Sequence, residues 1–213
     1  MSINKPNLDV SSARTIARGQ ISIVVEDTAK RIASLSMKFP SKRGAWLRAV
    51  ENNFKEAYKE TLLALIPEKR RVLAVYFLPL AEQYDGWLAI EVSVATFGTA
   101  MRTFKLAAIT ENTIIKLMQG LKDCSHLDAL KNELLDWFLP GVMTYMTTLN
   151  RPEIICIPTK SGYFIAKWDH SHITYVFTNW QPDRLLTDKE QVVLSKLRRE
   201  KKFGVAAELG DCE

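Results

Sequence analysis

Residues 71–109, RVLAVYFLPLAEQYDGWLAIEVSVATFGTAMRTFKLAAI, contain three strand-like runs separated by short segments that are typical of turns. The runs are rich in β-branched and aromatic residues, while the connecting segments QYDG and GTA contain glycine. In the middle run, Ile90, Val92 and Val94 alternate with Glu91 and Ser93, which directs the apolar side chains to one face. The stretch therefore predicts an antiparallel three-stranded meander with one face against a core.

A second group of strand-like runs lies in the last third of the chain. These runs are EIICIP (153–158), GYFIAKW (162–168) and ITYVFTNW (173–180), and the segments TKSG and DHSH connect them. Between the two groups, apolar spacing predicts one helix beginning at Thr110 and another at Ser125. A capping box, TDKE at 187–190, predicts a closing helix.

Apolar residues at three-and-four spacing predict two helices before the first strand group. The first covers residues 21–35, and the second runs from about Ala45 to Ile66 and ends at Pro67. The expected fold is α+β, with an N-terminal helical hairpin and an antiparallel sheet, or sheets, of about six strands in two groups of three. The helices are expected to pack on one side.

The composition, 47% hydrophobic and 25% charged, is ordinary for a packed globular protein. We expect a single α+β domain over residues 21–203, with a subdivision near 110 as an open alternative. The flanking residues 1–20 and 204–213 are expected to form a flexible N-terminus and a flexible C-terminal tail.

Hydropathy gives no indication of membrane insertion or secretion. The longest apolar stretch, at 72–80, is shorter than the ~18 residues of a membrane-spanning helix, and the first twenty residues lack the apolar region of a signal peptide. The three cysteines have no close pair, and Cys156 within EIICIP is expected to be a buried, reduced thiol. We expect a cytoplasmic protein of prokaryotic or phage type that does not bind membranes.

The familiar cofactor and catalytic motifs are absent. The chain contains no GxxxxGK[ST], GxGxxG, HExxH or GxSxG pattern. The chain therefore lacks the usual sequence signals of nucleotide hydrolysis, dinucleotide redox chemistry, zincin proteolysis and α/β-hydrolase chemistry. We expect no cofactor and no bound metal.

Positive charge is concentrated near the N-terminus. Residues 14–48 contain eight basic side chains against only Glu26 and Asp27, a local excess larger than the +5 of the whole chain. Such a cluster suits a polyanion, although a solvated helix face has the same appearance. The candidate nucleic-acid-binding residues are Arg14, Arg18, Lys30, Arg31, Lys42, Arg43 and Arg48.

Two of the three histidines lie in DHSH, the last predicted turn. His170 and His172, together with Lys160 and Arg184, contain the groups of a metal-independent ribonuclease, in which imidazole moves protons and cations stabilise the phosphorane. A metal site of both histidines with Asp169 or Asp183 is a weaker alternative. The favoured interpretation is the polar tip of a hairpin.

The leading hypothesis is a nucleic-acid-associated or regulatory binding module that uses the basic N-terminal region. The main alternative is a protein-interaction protein, such as an inhibitor, an immunity-type protein or a complex subunit, with Trp168 and Trp180 as the partner-binding rings. An enzyme that uses the C-terminal histidines ranks last.

Overall fold

The computed structural model describes residues 9–15, 18–19, 40–59, 61–79, 88–120, 131, 133, 152–171, 173–200 and 204–205. In this part of the chain, eight strands form one sheet in the order β1-β2-β3-β4-β7-β6-β5-β8. The strands are β1 (Leu62–Pro67), β2 (Arg71–Pro79), β3 (Leu88–Thr96), β4 (Arg102–Ile109), β5 (Ile154–Pro158), β6 (Gly162–Asp169), β7 (Thr174–Pro182) and β8 (Gly204–Val205). The helices are α1 (Arg43–Ala57), α2 (Glu111–Gly120) and α3 (Asp188–Glu200), with a 3₁₀ turn at Asp183–Leu185 and a helical segment over residues 10–15.

The mixed helix and strand content is confirmed, but the strand count of about six is too low. Strands β2, β3 and β4 form one antiparallel meander, and β5, β6 and β7 form another. Strand β1 adds to the first meander, and the two-residue β8 adds to the second. The meanders join through parallel pairing of β4 with β7, where Ala107, Ala108 and Ile109 face Tyr175, Val176 and Phe177.

The side chains of the sheet alternate between two faces, and each face has its own core. The first face carries Val75, Phe77 and Ile90 from one meander and Phe164 and Phe177 from the other in a single large cluster. Helix α2 packs on this face through Ile114, Ile115, Leu117 and Met118, and Ala13 of the N-terminal helical segment joins the same cluster. Because this core spans both meanders, the two strand groups form one packed unit.

The second face holds two smaller clusters under two helices. Helix α1 places Trp46, Val50 and Phe54 at four-residue spacing, which brings them onto one side of the helix and against Val72 and Ala74. Helix α3 covers the other meander, where Leu194 packs with four buried residues, namely Cys156, Tyr163, Ile165 and Leu186. The prediction that the helices pack on one side is therefore wrong, since α2 lies on the face opposite α1 and α3.

The predicted helix from Ala45 to Ile66 is nine residues too long. Helix α1 ends at Ala57, the backbone N–H groups of Thr61 and Leu62 donate to the carbonyl oxygen of Tyr58, and β1 begins directly afterwards. The run LLALI is apolar at every position, so its periodicity does not distinguish a helix from a strand. Pairing with β2 decides the outcome, and Pro67 is tolerated because β1 is an edge strand.

The predictions for the two chain ends and for the segment before β5 are only partly covered by the described residues. The predicted helix at 21–35, and with it the helical hairpin, lies outside the described residues, as do most of residues 121–150. Ala13, within the predicted N-terminal segment, is fully buried, and Gly204–Val205, within the predicted C-terminal tail, pair with β5. Within the described residues, no helix combines the length and apolar character that crossing a membrane requires.

Candidate nucleic-acid interface

Three chain segments meet at one end of the sheet. The β1–β2 turn and the β3–β4 turn lie side by side, since Arg71 is paired with Thr96 and the N–H of Phe97 donates to the carbonyl oxygen of Arg70 at 2.8 Å. Helix α1 begins at the same place, because Trp46 in its first turns contacts Phe97 edge-on with ring centroids 5.4 Å apart. The start of α1 is thereby joined to both turns.

This end of the sheet is strongly basic. Segments 40–44, 67–71 and 96–102 carry six basic side chains and one carboxylate, that of Glu68. We call this cluster the basic end, and its members are Lys42, Arg43, Lys69, Arg70, Arg71 and Arg102. All six are exposed, and Glu68 is already engaged by the guanidinium of Arg71. The first turn of α1 contains no acidic residue to offset them.

An aromatic ring and the edge of a strand adjoin the basic end. Phe104 on β4 is 49% exposed and lies between Arg102 and Lys105 along the strand. Strand β7 pairs with β4 only from Ala107 onwards, so in the described part of the chain no strand covers the outer side of β4 between Arg102 and Lys105. Exposed rings beside cations are the groups on which single-stranded nucleic acids stack.

The structure separates the predicted nucleic-acid-binding residues into two sets. Lys42, Arg43 and Arg48 are exposed on α1 or immediately before it. Arg14 and Arg18 lie instead beside α2 on the opposite face, where their guanidinium groups are 3.8 and 2.7 Å from the carboxylate of Glu111. Lys30 and Arg31 lie outside the described residues.

Sequence reasoning missed four members of the basic end, Lys69, Arg70, Arg71 and Arg102. The run KRR at 69–71 directly follows Pro67 and precedes a strand, so it could have been recognised as a basic turn. Its proximity to Lys42 and Arg43 depends on the pairing of β2 with β3 and on the packing of Trp46, which the residue pattern does not reveal.

A polar network lies beside α1 on the same face of the sheet. The hydroxyl of Tyr76 is 2.8 Å from the hydroxyl of Ser93, which is 2.9 Å from that of Thr103. Tyr76 also stacks on Tyr58 with ring centroids 3.7 Å apart. Burial raises the pKa of the Tyr76 phenol, which therefore stays protonated and can donate to the Glu91 carboxylate at 3.5 Å.

Glu91 is the half-buried carboxyl group of this network. Burial raises its pKa, and the positive charge of Lys105 and the hydrogen bond from Tyr76 oppose that rise only in part. The network contains hydroxyl groups and one carboxyl group but no imidazole or thiol, and it connects β2, β3 and β4 under α1. Its hydrogen bonds link side chains of three neighbouring strands that lead to the basic end.

The predicted ribonuclease residues do not come together. His170 is exposed at the β6–β7 turn, while Lys160 and Arg184 are exposed at the other end of those strands, where the N–H of Asp183 donates to Ser161. The length of β6 separates the two sets, about 23 Å at ~3.3 Å per residue. His172 lies outside the described residues. The set His170, Lys160 and Arg184 therefore cannot act on one phosphate.

The remaining candidate residues are Trp168, Trp180, Cys156 and Asp183. Trp180 is 2% exposed, which contradicts its prediction as an exposed partner-binding ring, and Trp168 is half-buried with its ring edge-on to Tyr175 at 5.0 Å. Cys156 is buried, as predicted. Asp183 lies at the end of the sheet opposite His170, and the described residues contain no group of three or more metal-ligating side chains.

Comparisons with known proteins found no relative. No protein-family model matches this chain, and no curated protein or solved structure matches it at a significant level.

Proposed function

We propose that this protein binds nucleic acid through the basic end, as a nucleic-acid-associated module. The observation that carries the proposal is the convergence of six exposed basic side chains from three separate segments around a single carboxylate. Each phosphate that such a surface neutralises releases condensed counterions, which favours binding to any polyanion.

The position of Phe104 favours single-stranded over duplex nucleic acid. The ring is half exposed next to Arg102, so an unstacked base can lie on it while the guanidinium holds the adjacent phosphate. A duplex keeps its bases stacked and can offer only its phosphates to this surface. We therefore expect tighter binding of single-stranded RNA or DNA than of duplex DNA of equal length.

Fluorescence anisotropy with labelled single-stranded RNA, single-stranded DNA and duplex DNA tests the proposal across a series of salt concentrations. The informative variant replaces Lys69, Arg70 and Arg102 by Gln. A matched control replaces three exposed cations of α3, Lys189, Lys196 and Arg199, which removes the same charge away from the basic end. Weaker binding in the first variant alone supports the proposal. Equal loss of affinity in both variants would mean that binding depends only on net charge. Absence of binding at low salt would reject the proposal.

A second candidate function is binding of a protein strand at the uncovered edge of β4. Met101 and Phe104 are exposed there, and Ile173, which precedes the point where β7 joins β4, is 67% exposed. An extended peptide can add to such an edge by main-chain hydrogen bonds, and Arg102 and Lys105 would favour an acidic one. Phe104→Asp would then abolish binding of the partner, and salt would weaken that binding less steeply than it weakens binding of nucleic acid.

A further inference from the structure

A second concave surface lies at the end of the sheet opposite the basic end. Helix α2, the last residues of β7 and the 3₁₀ turn enclose an open cleft of about 450 Å³. This volume lies within the range of about 300–1,000 Å³ that small-molecule sites occupy. The polar side chains that line it are those of Lys116, Gln119, Asn179, Gln181 and Arg184.

The charged side chains that line this cleft have one sign. Its lining includes the cations Lys116 and Arg184 and the amides of Gln119, Asn179 and Gln181, and none of the described residues that line it carries a carboxylate. Asp183, which directly precedes Arg184 in the chain, accepts a hydrogen bond from the guanidinium of Arg198 at 2.7 Å. Among the described residues, an anion entering the cleft would therefore meet two cationic side chains and no carboxylate in the lining.

The two cations differ in how they are held. The ammonium group of Lys116 donates to Oδ1 of Asn179 at 2.8 Å, which fixes it over β7. Arg184 is exposed, and its guanidinium makes no ion pair with the described residues. It also borders an adjoining cavity of about 270 Å³ on the α3 side of the 3₁₀ turn. Its planar group of five donors is thus free to turn towards an oxyanion in the cleft.

The indole ring of Trp180 forms the floor of the cleft. Trp180 is buried beneath it, and a Cβ atom at either Gly120 or Gly162 would overlap the indole ring. Leu185 stands at the rim with 68% of its surface exposed, which offers an apolar contact beside the polar groups. A built floor, an apolar rim and converging donors are the elements of a ligand site.

We propose that this cleft binds a small anionic molecule bearing a phosphate or carboxylate group, with Arg184 and Lys116 holding the oxyanion. The amides of Gln119, Asn179 and Gln181 would hydrogen bond with the rest of the ligand. The proposal is independent of nucleic-acid binding, because the length of the sheet separates the cleft from the basic end.

Titration of ¹⁵N-labelled protein, followed by two-dimensional NMR, tests this site. The reporters are the indole N–H of Trp180 and the backbone amide of Gln181, both at the cleft. The probes are sodium phosphate, adenosine monophosphate and succinate, with uncharged adenosine as the control, all at constant ionic strength. Saturable shifts of both reporters by at least one anion are expected, and adenosine should shift neither.

The variant Arg184→Gln should weaken the interaction about tenfold or more, which corresponds to loss of a hydrogen bond to a charged group. Lys69→Gln, which removes one charge at the other end of the sheet, should leave the titration unchanged. Tighter binding of adenosine monophosphate than of phosphate would identify a nucleotide, and equal binding of succinate would identify a carboxylate ligand.

Three results would overturn the proposal. These are absence of saturable shifts up to about 10 mM anion, an unchanged titration in Arg184→Gln, and equal shifts with adenosine. Lys69 belongs to the basic end, so Lys69→Gln can lower the affinity for nucleic acid while the anion titration of the cleft stays unchanged. The two proposals therefore fail or succeed separately.

Discussion

Trp46 lies edge-on against Phe97, and this contact joins the first turns of α1 to the β3–β4 turn. Trp46 is buried within the cluster under α1, so Trp46→Ala would leave a cavity as well as losing the ring contact. We expect the free energy of unfolding to fall by about 3–5 kcal/mol, measured by urea denaturation.

The control for Trp46→Ala is Val192→Ala, on the exposed side of α3. It should change the free energy of unfolding by no more than about 0.5 kcal/mol. A loss below about 1 kcal/mol in Trp46→Ala would contradict the packing of α1 on β2 and β3, and with it the geometry of the basic end.

Two glycines in helices provide a matched pair of substitutions. A Cβ atom at Gly120 in α2 would overlap the buried ring of Trp180, whereas a Cβ atom at Gly44 in α1 would meet no atom within 4 Å. Gly120→Ala should therefore destabilise the protein by about 1–3 kcal/mol. Gly44→Ala should be neutral or should stabilise it by up to about 1 kcal/mol. Thermal unfolding of both variants checks this, and the same sign of change in both would refute the contact between Gly120 and Trp180.

The half-buried carboxyl group of Glu91 makes stability depend on pH. Because burial raises its pKa in the folded state, the folded protein binds the proton more tightly than the unfolded chain does. The stability that this confers is fully present below the ordinary pKa of 4.5 and is lost as pH rises through the folded-state value.

Glu91→Gln imitates the protonated carboxyl group at every pH. The variant should match the wild type in acid and be the more stable of the two at neutral pH, as measured by urea denaturation at several pH values. Glu56→Gln, at an exposed position on α1, controls for the change in net charge. A wild type that gains stability relative to Glu91→Gln as pH rises would show that Lys105 outweighs burial.

Arg198 holds the β5–β6 turn to the end of β7. Its guanidinium donates to the carbonyl oxygens of Thr159 at 2.6 Å and Gly162 at 2.9 Å, and to the carboxylate of Asp183 at 2.7 Å. Lysine cannot reproduce this planar set of donors, so Arg198→Lys should cost about 1.5–3 kcal/mol. Arg199→Lys, one residue further and exposed, should change stability by no more than about 0.5 kcal/mol. Equal effects of the two substitutions would contradict the role of Arg198 in this turn.

The salt dependence of nucleic-acid affinity measures how many phosphate contacts the basic end makes. Each contact to a single strand contributes about 0.7 to the slope of log affinity against log salt concentration. Replacing Lys69, Arg70 and Arg102 by Gln should therefore reduce the slope by about 2, while the α3 control variant should keep the wild-type slope. An unchanged slope would place the contacts elsewhere, with the N-terminal cations as the next set to vary.

Local patterns in the sequence determined the secondary structure of both meanders. The alternation of Ile90, Val92 and Val94 with polar residues predicts a strand because side chains of a strand alternate between faces. The capping box at Thr187 likewise marks the start of α3, where the Thr187 hydroxyl and the Glu190 carboxylate are 2.7 Å apart. These signals depend only on near neighbours, which is why they were readable without a structure.

Tertiary structure alone decided how these elements combine. The parallel junction of β4 with β7, the strand at Leu62–Pro67 and the burial of Trp180 depend on partners far along the chain. The candidate sites have the same origin: the sequence identified Lys42 and Arg43 as basic, but the packing of Trp46 on Phe97 brings them to Arg70 and Arg102. Long-range contacts of this kind follow from shape and burial, and no spacing of residues along the chain encodes them directly.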